Sequence, residues 1–320
     1  MADESGRPAQ AVLRKWSTLI RFNHDEQHFE SIPDERQGQI QPRLPLSVTL
    51  QITRRCNLQC TYCSEDAMIK EPSYEGLALL VNKLDGIPRV IVSGGEPTLR
   101  KDLVSILDLL RVGTHDVIAM SSNATMITKD LAGQLARRLS YIDVTIDGTR
   151  EVHNSIRGQY DKVLAGVRNL VDAGVELSLV TVMFRDNAQS IIDVCAVADE
   201  LGAKKLKVLT PIRKGRGADV VERGLSSEEL QIIFQDIERA KKAQGWKVRI
   251  TLTDWGRVNE GHAILVHPDG EVVASPVPSE PSCIKSFGNL MNESMKDVWQ
   301  RYPYVDNHLK KYLEETLLVC

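Results

Sequence analysis

The sequence predicts an α/β protein whose main unit is an open, partial (β/α)6 barrel, and three observations carry that prediction. Between residues 47 and 210 a short β-branched run, a turn or cap, and an amphipathic stretch follow one another six times. Glycines fall where the amphipathic stretches should stop. After Pro211 the pattern breaks. Alternation of this kind implies a parallel sheet with right-handed crossovers. Six units are too few to close an eight-fold barrel.

Taken in order, residues 1–45 are polar and proline-punctuated after one helical stretch around Ala11–Arg21, and read as an N-terminal extension. The barrel occupies 46–212. Its strands are Ser47–Thr53, Arg89–Ser93, Asp116–Ser121, Tyr141–Ile146, Val175–Met183 and Lys205–Thr210. Between them lie helices over Tyr74–Leu84, Leu99–Arg111, Lys129–Leu139, Tyr160–Ala173 and Ala188–Leu201, with Thr128 and Asn187 as N-caps and Gly174 and Gly202 as stops. Residues 213–320 form a smaller C-terminal α+β region. It holds an Arg213-Lys214-Gly215-Arg216 loop and a helix over Ser226–Gln244 with capping-box spelling. Strands Lys247–Leu252, Ala263–His267 and Glu271–Ala274 follow, the last two joined by a Pro268-Asp269-Gly270 turn. A proline-rich loop (Ser275–Ser282) and a helical stretch (Ser294–Leu318) complete the chain. Lys204, Lys205 and Lys207 read as a charged strand edge.

With 42% hydrophobic and 26% charged residues the chain is too apolar for disorder, and six cysteines in 320 residues are too few for a disulfide scaffold. Forty basic against 43 acidic residues give no pull toward nucleic acid or an anionic membrane. The N-terminal MADESGRPAQAVLRKWSTLIRF has no apolar stretch of signal-peptide length, and no segment approaches the roughly 18 apolar residues of a spanning helix, so a cytoplasmic location is expected. In a reducing compartment, clustered cysteines suggest metal before disulfide.

Such a cluster follows the first barrel strand: Cys56-Asn-Leu-Gln-Cys60-Thr-Tyr-Cys63. It stands at a strand's C-terminal end, where parallel barrels build active sites. Three close thiolates suit one soft-metal centre, either an iron–sulfur cluster or a zinc ion with a distant fourth ligand. A four-iron cluster normally takes four cysteines, and neither Cys nor His follows Cys63 until His115. One iron is then left open for a small molecule.

The loop resembles that of the radical S-adenosylmethionine (radical SAM) enzymes, whose signature is Cys-x3-Cys-x2-Cys after the first strand of a six-unit partial barrel, with an aromatic residue, here Tyr62, before the last cysteine. The resemblance implies one [4Fe–4S] cluster on Cys56, Cys60 and Cys63. It also implies S-adenosylmethionine on the open iron, an external donor of flavodoxin or ferredoxin type, and a 5′-deoxyadenosyl radical that abstracts a substrate hydrogen. Ser93-Gly94-Gly95-Glu96-Pro97, after the second strand, resembles the stretch that meets the methionyl amine. Ser122-Asn123 ends the third strand where the family often has Thr-Asn-Gly, with Ala124 in the glycine's place. Val144-Thr145-Ile146-Asp147-Gly148, with His153 and Arg157, resembles a further cofactor stretch. It sets Thr145 near the ribose or carboxylate and Arg157 on the methionine carboxylate.

Residues 211–299 are similar to the SPASM or twitch extension of one branch, but Glu260 and Ser275 stand where cluster cysteines are usual. The resemblance then implies that extension's fold without an auxiliary cluster, and hence a redox-neutral outcome such as epimerisation, or a decarboxylation. Cys283 becomes a candidate hydrogen donor; Cys195 reads as core and Cys320 as a frayed terminus. The expected substrate is a small molecule, a sugar, aminosugar or sugar-nucleoside in natural-product biosynthesis, and Arg213-Lys214-Gly215-Arg216 is a candidate grip for a phosphorylated one. Two alternatives stand beside this: a maturase modifying a ribosomally made peptide, and a dehydrogenase of a sugar alcohol.

Overall fold

A computed structural model describes residues 12–13, 19–23, 28–32, 44–65, 71–212, 214–255, 263–274, 286–302 and 317–320. Three strands, β1 (Val12–Leu13), β2 (Leu19–Asn23) and β3 (His28–Ile32), pair antiparallel in a sheet of their own. Where the helix expected around Ala11–Arg21 is described, at Val12–Leu13 and Leu19–Arg21, the chain is strand, and residues 14–18 lie outside the described residues. The runs LIRFN and HFESI are rich in β-branched and aromatic residues, and such runs favour cross-strand pairing over a lone helix.

Among the described residues the main sheet has eleven strands. Its centre is the six-unit barrel: β4 (Ser47–Gln51), β5 (Arg89–Ser93), β6 (Val117–Ser122), β7 (Tyr141–Thr145), β8 (Leu177–Val182) and β9 (Lys205–Leu209) lie side by side in chain order, all parallel. The crossovers carry α1 (Tyr74–Lys83), α2 (Leu103–Val112), α3 (Lys129–Ala136), α4 (Arg150–Ile156), α5 (Tyr160–Asp172) and α6 (Ile191–Glu200). Thr128 caps α3 by accepting from the Leu131 amide, and Gly174 and Gly202 take left-handed φ values of 77° and 70° at the helix stops. Asn187 is not the N-cap of α6. Its side chain accepts from the Phe184 amide and donates to the Asp147 and Val182 carbonyls, because a 3-10 turn over Ala188–Ser190 separates it from the helix.

The C-terminal region enlarges this sheet. Beyond α7 (Gly217–Val221) and α8 (Ser227–Gln244), whose Ser226/Glu229 capping box is formed, β10 (Arg249–Thr253) pairs parallel with β9 at one end. At the other end β11 (Ala263–Val266) pairs parallel with β4, followed outward by antiparallel β12 (Glu271–Ala274) and β13 (Gly288–Asn289). Of the helical stretch expected over Ser294–Leu318, α9 covers Met295–Trp299, residues 303–316 lie outside the described residues, and its end is strand instead, β14 (Leu317–Val319) pairing antiparallel with β10. Cys320 does not fray, since its amide and carbonyl bond the Ile250 carbonyl and amide at 2.9 and 2.8 Å. Cys195 is fully buried in the core, as expected, and burial pushes its thiol up to about 12.

Strand alternation sorts the side chains. Val48, Leu50, Val90, Val92, Ile142, Val144, Leu206 and Val208 join the core cluster with helix residues such as Leu77, Ile106 and Val167. The alternate residues face the barrel interior. This corrects the strand-edge reading of Lys205 and Lys207, since β10 covers β9. Lys205 is buried and Lys207 bonds both Asp143 oxygens at 2.7 and 2.8 Å.

Candidate active site

The cysteine loop leaves β4 still paired to the next strand's exit. Ile52 N–H donates to Ser93 O, Gly95 N–H to Thr53 O and Glu96 N–H to Arg55 O, at 2.8–2.9 Å. A Cβ on Gly94 would stand 2.3 Å from Thr53 O, and one on Gly95 2.3 Å from Arg55 O. The glycines are thus required by the close approach of the cysteine loop's own backbone. Both still line the cavity at the barrel mouth.

Cys56 is exposed, Cys60 buried and Cys63 intermediate, and all three line the same cavity of about 370 Å³. Burial pushes Cys60 up to about 11, with Arg157 pulling the other way; burial also raises Cys56. Two contacts hold the loop from outside: Thr61 N–H on Ile156 O at 3.0 Å, and Arg216, whose Nε donates to Cys60 O and whose amide donates to Cys63 O, each at 2.9 Å. Gly215, at φ 56°, would bring a Cβ to 2.7 Å from Cys63 O. Arg216 therefore buttresses the cysteine loop instead of gripping a phosphate, and Arg213 lies outside the described residues.

Tyr62 projects from this loop into a buried polar knot. Its hydroxyl donates to Asp147 Oδ2 and accepts from Arg157 Nη1, both at 2.5 Å, while its ring meets Phe184 edge-on. Arg157 Nε is 3.6 Å from Asp147 Oδ2, and Asp147 Oδ1 accepts from the Val182 amide at 2.8 Å. Burial raises the Asp147 carboxyl against the pull of Arg157. Burial also disfavours the Arg157 charge, but Tyr62 and Asp147 outweigh it and keep the guanidinium protonated. His153 is buried behind them, its Nδ1 3.3 Å from the Asp147 amide; burial, then Arg157, lowers it to about 4, so it is neutral. Arg157 and Thr145 line the cavity.

Glu96 is fully buried and does not reach the cavity. Its Oε1 accepts from the Thr98 amide, the Thr98 hydroxyl and Ser122 Oγ at 3.1, 2.6 and 2.8 Å, and Oε2 from the Asn123 amide at 2.7 Å. It ties the β5 exit to the β6 exit. Asn123, so placed, reaches Asn57 Oδ1 at 2.9 Å and lies 3.9 Å from Cys56 Sγ. Ala124 takes φ 58°, the conformation for which a glycine is usual there.

Beside the cysteine loop a further wall of the cavity holds Lys214, from the Arg213–Arg216 loop already singled out, with partners that the sequence does not announce. Glu65 binds Gln51 Nε2 at 2.8 Å and Arg54 Nη1 at 3.0 Å, and His267 Nδ1 stands 2.9 Å from Arg54 Nη2. Lys214, Trp255 and Leu265 complete it. The His-Pro-Asp-Gly turn and the loop carrying Lys214 are the local signals; the rest meet through the fold. Cys283 lies outside the described residues.

The donor set fits an iron–sulfur cluster. Three thiols converge on one cavity, yet among the described residues no three His, Cys, Asp or Glu come close enough to grip a single ion. A zinc ion bound at about 2.3 Å by each thiolate demands that closeness, whereas a cubane takes each thiolate on a different iron. Gly94, Gly95, Asn123, Thr145 and Arg157 line the same cavity as the thiols.

Residues 50–198 match the Radical SAM superfamily. Over 210 residues the chain is 35% identical to the Fe-coproporphyrin III synthase of Methanosarcina barkeri, a match covering 61% of this chain and 51% of that protein. Over 284 residues it is 28% identical to the mycofactocin maturase MftC of Mycolicibacterium smegmatis, covering 80% and 70%. Streptococcus suis SuiB bound to S-adenosylmethionine superposes with a TM-score of 0.68 at 12% identity, covering 85% of this chain and 68% of SuiB, and shares the fold.

Proposed function

Because residues 50–198 are a radical SAM domain with homologues across that superfamily, SPASM-type maturases among them, we propose that this radical SAM enzyme is a maturase that modifies a ribosomally made peptide. The observation that carries the maturase reading is extent. The match to the mycofactocin maturase runs through 80% of the chain, into the C-terminal region, whereas that to the porphyrin-forming synthase spans 61% of the chain and about half of the synthase. The sugar reading has no counterpart among these relatives.

Enzymes of this family bind a [4Fe–4S] cluster and S-adenosylmethionine. Cys56, Cys60 and Cys63 would hold the cluster; when bound, the pair supplies a 5′-deoxyadenosyl radical able to take hydrogen from an sp³ carbon. Arg157, kept charged by Asp147 and Tyr62, orients the carboxylate end of the cosubstrate. Asn123, fixed by Glu96, and Thr145 bind its polar groups. Glu96 acts by positioning Asn123. Only Cys283 and Cys320 stand in residues 213–320, which supports a single cluster and an external reductant of flavodoxin or ferredoxin type. Among the described residues no helix is long and apolar enough to cross a membrane.

The test is anaerobic reconstitution to about four irons per chain, then S-adenosylmethionine and dithionite with each short peptide encoded beside the gene. A mass change in one peptide, with 5′-deoxyadenosine formed, supports the reading. Unmodified peptides together with a modified tetrapyrrole would overturn it.

A further inference from the structure

The cavity wall beside the cysteine loop carries two cations, Arg54 and Lys214, against the one carboxylate of Glu65. There Glu65 pairs with Arg54 Nη1 at 3.0 Å through Oε2, which makes no hydrogen bond, and its Oε1 accepts from Gln51 Nε2 at 2.8 Å, while Arg54 is braced by His267. Lys214 stands 3.7 Å from Glu65 Oε1, an ion pair beyond hydrogen-bond length, and Glu65 is its only ion-pair partner among the described residues. The ammonium carries three donors and commits none to a described side chain at hydrogen-bond distance. The cavity's other lining cation, Arg157, is committed to Tyr62 and Asp147. Beside Lys214 the lining turns apolar with Leu209, Ile212, Trp255 and Leu265. A largely buried ammonium in surplus over its carboxylate, next to an apolar wall, suits an anion attached to an apolar body.

Backbone geometry selects the anion. In the Lys214 loop the amides of Lys214, Arg216 and Gly217 are spent on the carbonyls of Ile212, Cys63 and Lys214, so among its described residues no run of consecutive free amides stands ready for a phosphate. A carboxylate, needing one or two donors, fits. The loop is also fixed relative to the thiols: a Cβ on Gly217 would stand 2.6 Å from Ile212 O and 3.0 Å from Tyr62 O, and Gly215 presses on Cys63 O as described.

We propose that Lys214 is the anchor for a substrate carboxylate borne next to an aliphatic or aromatic group, and that it sets which carbon faces the thiol side of the cavity. The inference rests on the radical SAM reading of the cavity; under the maturase reading the carboxylate is a peptide's C-terminus or an acidic side chain.

The experiment is ligand-observed NMR on anaerobic holoenzyme saturated with S-adenosylmethionine, using N-acetylphenylalanine, 3-phenylpropanoate and N-acetylphenylalaninamide as probes. Wild type is expected to bind the carboxylates about tenfold or more tighter than the amide. Lys214→Arg keeps that preference, and Lys214→Met and Lys214→Gln each reduce it to about twofold or less. Iron–sulfur absorption confirms that each variant is loaded; either of the two neutral variants suffices. Tighter binding of N-acetylphenylalanine than of 3-phenylpropanoate marks a main-chain terminus as the source, and the reverse a side chain. Equal binding of acid and amide, no binding of either acid, or a preference that survives in a loaded neutral variant overturns the proposal. Carboxylate binding through Lys214 without modification of any peptide refutes the maturase reading and leaves the anchor standing.

Discussion

Arg216 Nε donates to the carbonyl oxygen of Cys60 at 2.9 Å across 156 positions of sequence, so the loop after the sixth barrel strand holds the cysteine loop in place. Gly215 makes that contact possible, because a Cβ there meets the Cys63 carbonyl at 2.7 Å and φ is 56°. Gly215→Ala is expected to displace the loop and lower iron retention after reconstitution by half or more. Arg216→Ala, losing a part-exposed hydrogen bond of about 1 kcal/mol, should have the milder effect. Iron and sulfide assays on both variants check the order.

Glu96→Gln replaces an acceptor with an amide that must face donors, since the Thr98 amide, Thr98 and Ser122 hydroxyls and Asn123 amide all point at the carboxylate. The expected loss is about 2 kcal/mol of stability, read as a lower urea midpoint at unchanged slope. A neutral result would mean that these donors are not engaged.

Tyr62→Phe removes the hydroxyl shared by Asp147 and Arg157 and leaves their ion pair at 3.6 Å. S-Adenosylmethionine affinity should fall about tenfold, from a less constrained guanidinium. Arg157→Met should cost far more, because Asp147 then stands buried without its cation. Equilibrium dialysis against labelled cosubstrate measures both.

Lys207→Met leaves Asp143 unpaired inside the barrel and is expected to cost about 3 kcal/mol. The double variant with Asp143→Asn should recover a large part of it. Additive losses in chemical denaturation would contradict the interior ion pair.

His153 and His267 both sit near 4, each lowered first by burial and then by an arginine, Arg157 or Arg54. The unfolded chain takes up these protons near pH 6.5, so native stability is full above about 6.5, falls between 6.5 and 4, and levels off below. Each histidine contributes on the order of 2–3 kcal/mol to that fall. His153→Gln should flatten part of the slope in stability measured across this range.

The strand and helix order of the barrel and the cysteine loop were legible because their signals are local. Period-two and period-3.6 patterns, Thr128 and Ser226 as caps and Gly174 and Gly202 as stops each act within a turn or two of chain. Where a short segment's fate depended on distant partners, the reading failed, as in the strands at 12–32 and β14. The barrel's extra parallel neighbours, β10 and β11, were read as strands but not placed, because pairing is chosen by burial of whole faces and not by local pattern. The site divides in the same way. Sequence by itself determined which residues would hold the proposed cluster, through three cysteines in eight positions. Tertiary structure decided what surrounds them: Asp147 and Arg157 on Tyr62, Glu96 under Asn123, and Arg54, His267 and Lys214 around Glu65. These partners lie up to 213 positions apart, and a charge finds its partner only once desolvation on folding makes leaving it unpaired costly.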